Sequence, residues 1–413
     1  MTTTHEPAEG IRSAHSPFGA TPRQLLGVLA TWIYALLPAN LVPYIIGGLV
    51  GELGVSLTLA GIIATAMTLA NAAGVLALRP VVSRGHRATV ARIGVAVLVV
   101  AFAIAALFPS ATIVMIALVV GGLGSGVLIA AATASVSAVE NPDRATTVVI
   151  TVNRLIVALT FLLLPLLGGG IRSMLVLLVV FGVIAFLGSA WLSARVLPPT
   201  GEDKMALPAD PTPVADVRGA RAVAWLLAVA FAAWTISEEG VYGVLSVLMV
   251  NNLPLLDAAG SSAMIAGGVF SGLLGALVSP LILRFLGRSV GLSVLFAASI
   301  VAKLGMMVGQ SEGLYITAVL VWGFAFGATI PLVFGLAAKL TRSGSANVLV
   351  NGVYVIGVAL GPLVSTQLLE VGGLGALAVA MTALGVLSAV AIIAATIRSR
   401  VILRQTWPEE AAR

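Results

Sequence analysis

The sequence predicts an all-α polytopic membrane protein of about twelve transmembrane helices, arranged as two pseudo-symmetric six-helix bundles. Three observations carry that expectation. Of 413 residues, 59% are hydrophobic and 9% charged, with a mean hydropathy of +1.11, which leaves too little polar surface to cover a water-soluble globule. The apolar runs are broken at helix-spanning intervals by short charged or Gly/Pro-rich joints. The second half of the chain also repeats landmarks of the first.

Six spans are expected near Leu25 to Val50, Val55 to Leu78, Ala91 to Phe108, Ala111 to Val139, Ala145 to Leu167 and Ser173 to Leu197. Six more follow near Ala222 to Val250, Ala258 to Leu283, Val290 to Val308, Gly313 to Leu340, Ser345 to Leu369 and Leu374 to Ile397. The prolines and mixed charges of 198–221 read as a solvated linker. The expected organisation is a tail over 1–21, one bundle over 22–197, the linker, a second bundle over 222–400 and a tail over 401–413.

Orientation follows from Lys and Arg, which accumulate on the cytoplasmic side. Of the 22 such residues, all except Arg172, Arg154 and Lys303 fall on the side of the N-terminus. Both termini and the linker are therefore expected in the cytoplasm. The segment from Met1 to Gln24 lacks the apolar core of a cleavable signal peptide, so the first span is expected to direct insertion.

A shift of about 200 residues places Pro80 on Pro280 and Arg84 on Arg284. Similar shifts place Pro165 on Pro362, and Gly122 and Gly126 on Gly323 and Gly327. Several pairs in one order indicate duplication of a six-span unit, the usual plan of secondary transporters.

Other classes fit less well. The net charge of +6 comes from cations scattered singly, without the interleaved aromatics of a nucleic-acid surface. Without cysteine the chain has neither a disulfide framework nor a thiolate nucleophile. His5, His15 and His86 lie in a tail and a loop, no HExxH zinc motif lies in a span, and no GxxxxGK[ST] loop supports ATP hydrolysis. Neither an enzyme nor a cofactor is expected. Ion gradients remain as the energy source.

Three motifs resemble those of the major facilitator superfamily. Arg79, Pro80, Ser83, Arg84, Gly85, His86 and Arg87 loosely match its loop signature after span two, with Ser83 where an aspartate is usual. Pro165, Gly168 and Gly169 keep the second half of its fifth-span exporter signature, while Thr160 and Leu164 replace the leading glycines. A fuller copy stands in span eleven as Gly357, Gly361, Pro362 and Ser365. In span four Gly121, Gly122, Gly124 and Gly126 match another family element whose arginine is absent. The resemblance implies two bundles around a central cavity, with Arg84, Pro165, Gly168, Gly169, Gly357, Gly361 and Pro362 in conformational roles. It further implies alternating access by a monomer in a bacterial cytoplasmic membrane, with proton-coupled export ahead of uptake of an organic anion and of a non-transporting sensor.

Ionisable groups at membrane depth are the sharpest functional signal, since each costs at least about 2.5 kcal/mol there. Arg154 lies ten residues past Arg144, roughly 15 Å deep at 1.5 Å per residue. Glu238 and Glu239 fall mid-span before Gly240, and neighbours on a helix point about 100° apart, so one of the two is expected to face a cavity. A glutamate there would carry a coupling proton, and Arg154 would hold a substrate anion or pair with a glutamate. A permanent Arg/Glu pair locking two helices is the competing reading. Lys303 is expected to snorkel to the headgroups. Asn40, Trp322 and Tyr354, among other mid-span polar and aromatic residues, are candidates to line the cavity.

Overall fold

The computed structural model describes residues 21–82, 86–136, 142–192, 219–340 and 345–406, and every regular element in them is helical. The first half comprises α1 (Pro22–Asn40), α2 (Val42–Gly51), α3 (Leu57–Val82), α4 (Arg87–Leu107), α5 (Ala111–Val136), α6 (Pro142–Leu166) and α7 (Gly170–Ser189). The second comprises α8 (Ala220–Gly243), α9 (Leu245–Asn252), α10 (Ala258–Val308), α11 (Glu312–Leu340) and α12 (Ser345–Thr406). Most of the expected linker, both chain ends and Arg84 lie outside the described residues. Helix α8 begins at Ala220, inside the expected linker, and α12 runs to Thr406, past the expected boundary at 400.

Among the described residues nine helices are long and apolar enough to cross a membrane, and the pair α1/α2, bent by 45°, supplies a tenth span. Two of the nine are double. Helices α10 and α12 run 51 and 62 residues, and at 1.5 Å per residue either would overshoot a hydrocarbon layer of about 30 Å. Gly287 and Gly373, both with φ of 69°, break them. Only glycine adopts that conformation without strain. Beyond its break, α10 turns back so that Gly291 meets Ile282. Counting each arm separately gives the expected twelve spans.

The first span of each half is itself broken. Pro43 has no N–H to offer the carbonyl one turn earlier, and α1 stops at Asn40. In the second half α8 stops at Gly243, and α9 resumes after Val244.

Within the halves, glycine sets the closest crossings. A Cβ on Gly122 or Gly126 of α5 would collide with the carbonyls of Met67 and Asn71 on α3. The repeat partners Gly323 and Gly327 of α11 stand in the same relation to Gly268 and Gly272 of α10. These contacts reproduce the internal repeat at the level of atoms. Between the halves, α3 packs on α12 and α6 on α10, the span-two/eleven and five/eight pairings expected of two bundles around a cleft.

Candidate functional site

Helix α8 carries the two glutamates, and its two faces differ. Glu238 is fully buried inside the second bundle. Its carboxylate accepts from Lys303 Nζ at 2.8 Å, from Ser299 Oγ at 2.8 and 2.9 Å and from Trp322 Nε1 at 2.6 Å. Lys303 also donates to Ser237 Oγ, which in turn donates to the Met381 carbonyl at 2.8 Å. Gly385 leaves room for the ammonium, since a Cβ there would stand 3.2 Å from Nζ. The charge pair and its hydrogen-bond partners thus tie α8, the second arms of α10 and α12, and α11 together.

This corrects the expectation for Lys303. Lys303 is 1% exposed and does not snorkel, because Glu238 offers it a full counter-charge at 2.8 Å inside the bundle. The structural ion pair of the second half is Lys303 with Glu238, and Arg154 has no part in it.

Glu239, about 100° around the helix, faces the other way and is half-buried. It lies within electrostatic reach of Arg154, which α6 brings from the first half and which is also half-buried. The two come from opposite halves of the chain, so they face one another where the halves meet. The fuller glycine-proline element explains how α8 is placed there. A Cβ on Gly361 would stand 2.8 Å from Glu239 Cβ and 2.8 Å from Gly240 N, and Gly243 rests on Pro362. Gly357, one turn earlier on α12, makes the same close approach to Ala232, two turns earlier on α8.

Aromatic rings flank Glu239. Tyr242, one turn on, stacks on Trp322 with centroids 5.6 Å apart and an 18° tilt. Tyr354 of α12 stacks on Phe231 at 5.0 Å and 20°. Both tyrosines are half-buried and feel the charges of Glu239 and Arg154. Trp322 itself is 6% exposed, so it backs the wall rather than lining it.

The break after Asn40 has a purpose the sequence did not reveal. Tyr242 Oη donates to the Asn40 carbonyl at 2.7 Å, joining the broken spans of the two halves. The Asn40 amide instead bonds Leu36 of its own helix at 2.9 Å. Next to this contact Gly47 of α2 meets Ser246 of α9. Thr65 donates to Ala359 at 2.7 Å and the Thr58 N–H to Glu370. These contacts join the two halves. Beyond the Tyr242 contact is a cavity of about 400 Å³ whose polar lining includes Tyr44, Glu52, Ser246, Asn251 and Ser261. Glu52 caps α7 there, accepting from Ile171 N at 2.9 Å.

The fifth-span element behaves differently from its copy. Pro165 sits in the last turn of α6, and Gly168 and Gly169, with φ of 97° and 62°, form the turn into α7. They shape a loop and lie away from Glu239. Sequence reasoning did not place Lys303, Ser299 or Tyr242 in these roles; a lysine and a glutamate at matching depth in separate spans was the available signal for the first.

Comparison with known proteins agrees with this architecture. The sequence profile of the Major Facilitator Superfamily matches residues 27–353. A point mutant of the nucleoside transporter NupG superposes with a TM-score of 0.66 at 14% identity, covering 90% of this chain and 99% of that one. A bacterial homolog of the human lysosomal transporter Spinster, in an inward-facing and unoccupied conformation, gives 0.64 at 16% identity over 95% and 99%. The human organic anion transporter MFSD10 gives 0.60 at 16% identity over 90% and 100%. No curated protein matches the sequence significantly. With most of its length matched by the profile and its twelve spans folded as two bundles, the chain belongs to the Major Facilitator Superfamily and is a multi-pass membrane transporter rather than an enzyme.

Proposed function

We propose that the chain is a secondary active transporter that exports a small organic molecule by alternating access, with Glu239 carrying a counter-moving proton. The observation that supports this is the charge pair across the cleft, Glu239 from one half and Arg154 from the other. Ionised Glu239 attracts Arg154 and the half that bears it, and a proton on Glu239 cancels that attraction. A substrate cation takes the same place as the proton, so the two alternate at one carboxylate. That competition is the requirement of antiport. The Lys/Arg asymmetry supports cytoplasmic termini in a bacterial inner membrane, and the working unit is a monomer.

Arg154 supports a second reading, uptake of an organic anion. An anion seated on Arg154 releases Glu239, which then gains a proton, so substrate and proton travel together. Reconstitution in liposomes separates the two. Antiport accumulates substrate in vesicles that are acidic inside, and symport in vesicles that are acidic outside. Glu239→Gln abolishes either accumulation while exchange without a gradient survives. Undiminished accumulation by that variant defeats both readings, and ligand binding without flux would identify a sensor.

A further inference from the structure

We propose that the site where the halves meet selects a planar aromatic zwitterion, whose ring lies against Tyr354 and whose opposite charges meet Arg154 and Glu239. This rests on the reading of Glu239 and Arg154 as the cleft-facing pair. Tyr354 has one face covered by the parallel ring of Phe231 at 5.0 Å, meets Phe334 edge-on at 5.4 Å, and keeps partial exposure. A third ring stacked on the free side continues the offset arrangement already present.

The backing is rigid. Phe231 is stacked on Trp234 at 5.4 Å and 7°, Trp234 on Phe326 at 5.4 Å, and Phe326 on Trp322 at 5.8 Å. Trp322 is fixed by its bond to Glu238 at 2.6 Å. The wall is therefore ordered before a ligand arrives, and stacking on it loses little side-chain entropy. Charge sets the rest of the recognition. Arg154 and Glu239 neutralise one another in the empty site, so a ligand with a single charge leaves one of them without its partner. A zwitterion replaces both halves of the pair. Its cationic end also competes with a proton for Glu239, as antiport demands.

The test is equilibrium binding to the purified full chain, read by thermal stabilisation with four probes of similar size. L-tryptophan carries the ring and both charges, tryptamine and indole-3-propionate carry the ring and one charge, and cyclohexylalanine carries both charges without the aromatic ring. Tryptophan is expected to bind at least tenfold tighter than each of the others. Tyr354→Leu should weaken tryptophan at least fivefold and leave cyclohexylalanine unchanged, whereas Tyr354→Phe, which keeps the ring, should retain tryptophan binding and control for misfolding. Equal binding of cyclohexylalanine, equal binding of either singly charged probe, or no stabilisation by any probe overturns the proposal. The measurement uses no gradient, so the substrate class is read independently of proton coupling: undiminished tryptophan binding by Glu239→Gln would refute the Glu239 contact, whereas intact gradient-driven transport by that variant would refute the coupling.

Discussion

The two faces of α8 hold the same side chain in opposite circumstances. On the inner face every oxygen of Glu238 is answered by Lys303, Ser299 or Trp322 from the same bundle. On the cleft face Glu239 looks to Arg154, a residue of the other half. A partner in the same rigid body makes a charge part of the architecture. A partner in the opposing body makes its attraction depend on how the two bodies stand. One residue step separates the two.

The contrast predicts unequal responses to similar changes. Glu238→Gln strands the Lys303 ammonium without a counter-charge and should cost about 3–5 kcal/mol, visible as a large fall in melting temperature. Adding Lys303→Met to that variant should recover most of the loss; a double variant no more stable than the single would break the comparison. Gly361→Val drives a branched side chain against Glu239 and Gly240 and should cost about 1–3 kcal/mol, with transport falling further than stability because the cleft face of α8 is displaced. Glu239→Gln should change stability by no more than about 0.5 kcal/mol, since Arg154 retains access to the cleft. A melting shift as large as that of Glu238→Gln would mean that both faces are structural.

Much of this fold was legible in the sequence because lipid imposes a simple rule, that every backbone polar group be satisfied within a helix. Run length and cation placement then mark the spans, and Gly122, Gly126, Gly323 and Gly327 announced the same crossing twice. The partners of charges were harder. Depth in a span is a one-dimensional quantity that singles out Arg154, Glu238 and Glu239 alike, but facing direction depends on helix rotation. Lys303 was misplaced for that reason. The breaks at Leu41 and Val244 were hidden because an apolar run reads alike whether or not its helix bends. Gly168 and Gly361 looked alike for a similar reason: a glycine needed for positive φ and a glycine needed for close approach are the same letter.

The bond from Tyr242 to the Asn40 carbonyl also bears on reversibility. With the Thr65 and Thr58 contacts it forms a small set of hydrogen bonds between the halves, and each such bond contributes about 0.5–1.5 kcal/mol net. Shifting a two-state population from 1:99 to 99:1 takes about 5.5 kcal/mol, so a lock of this depth lies within range of what cargo and ion can supply. Net flow is then set by the gradients on the two sides, and a ligand that binds both states equally well occupies the site without directing it.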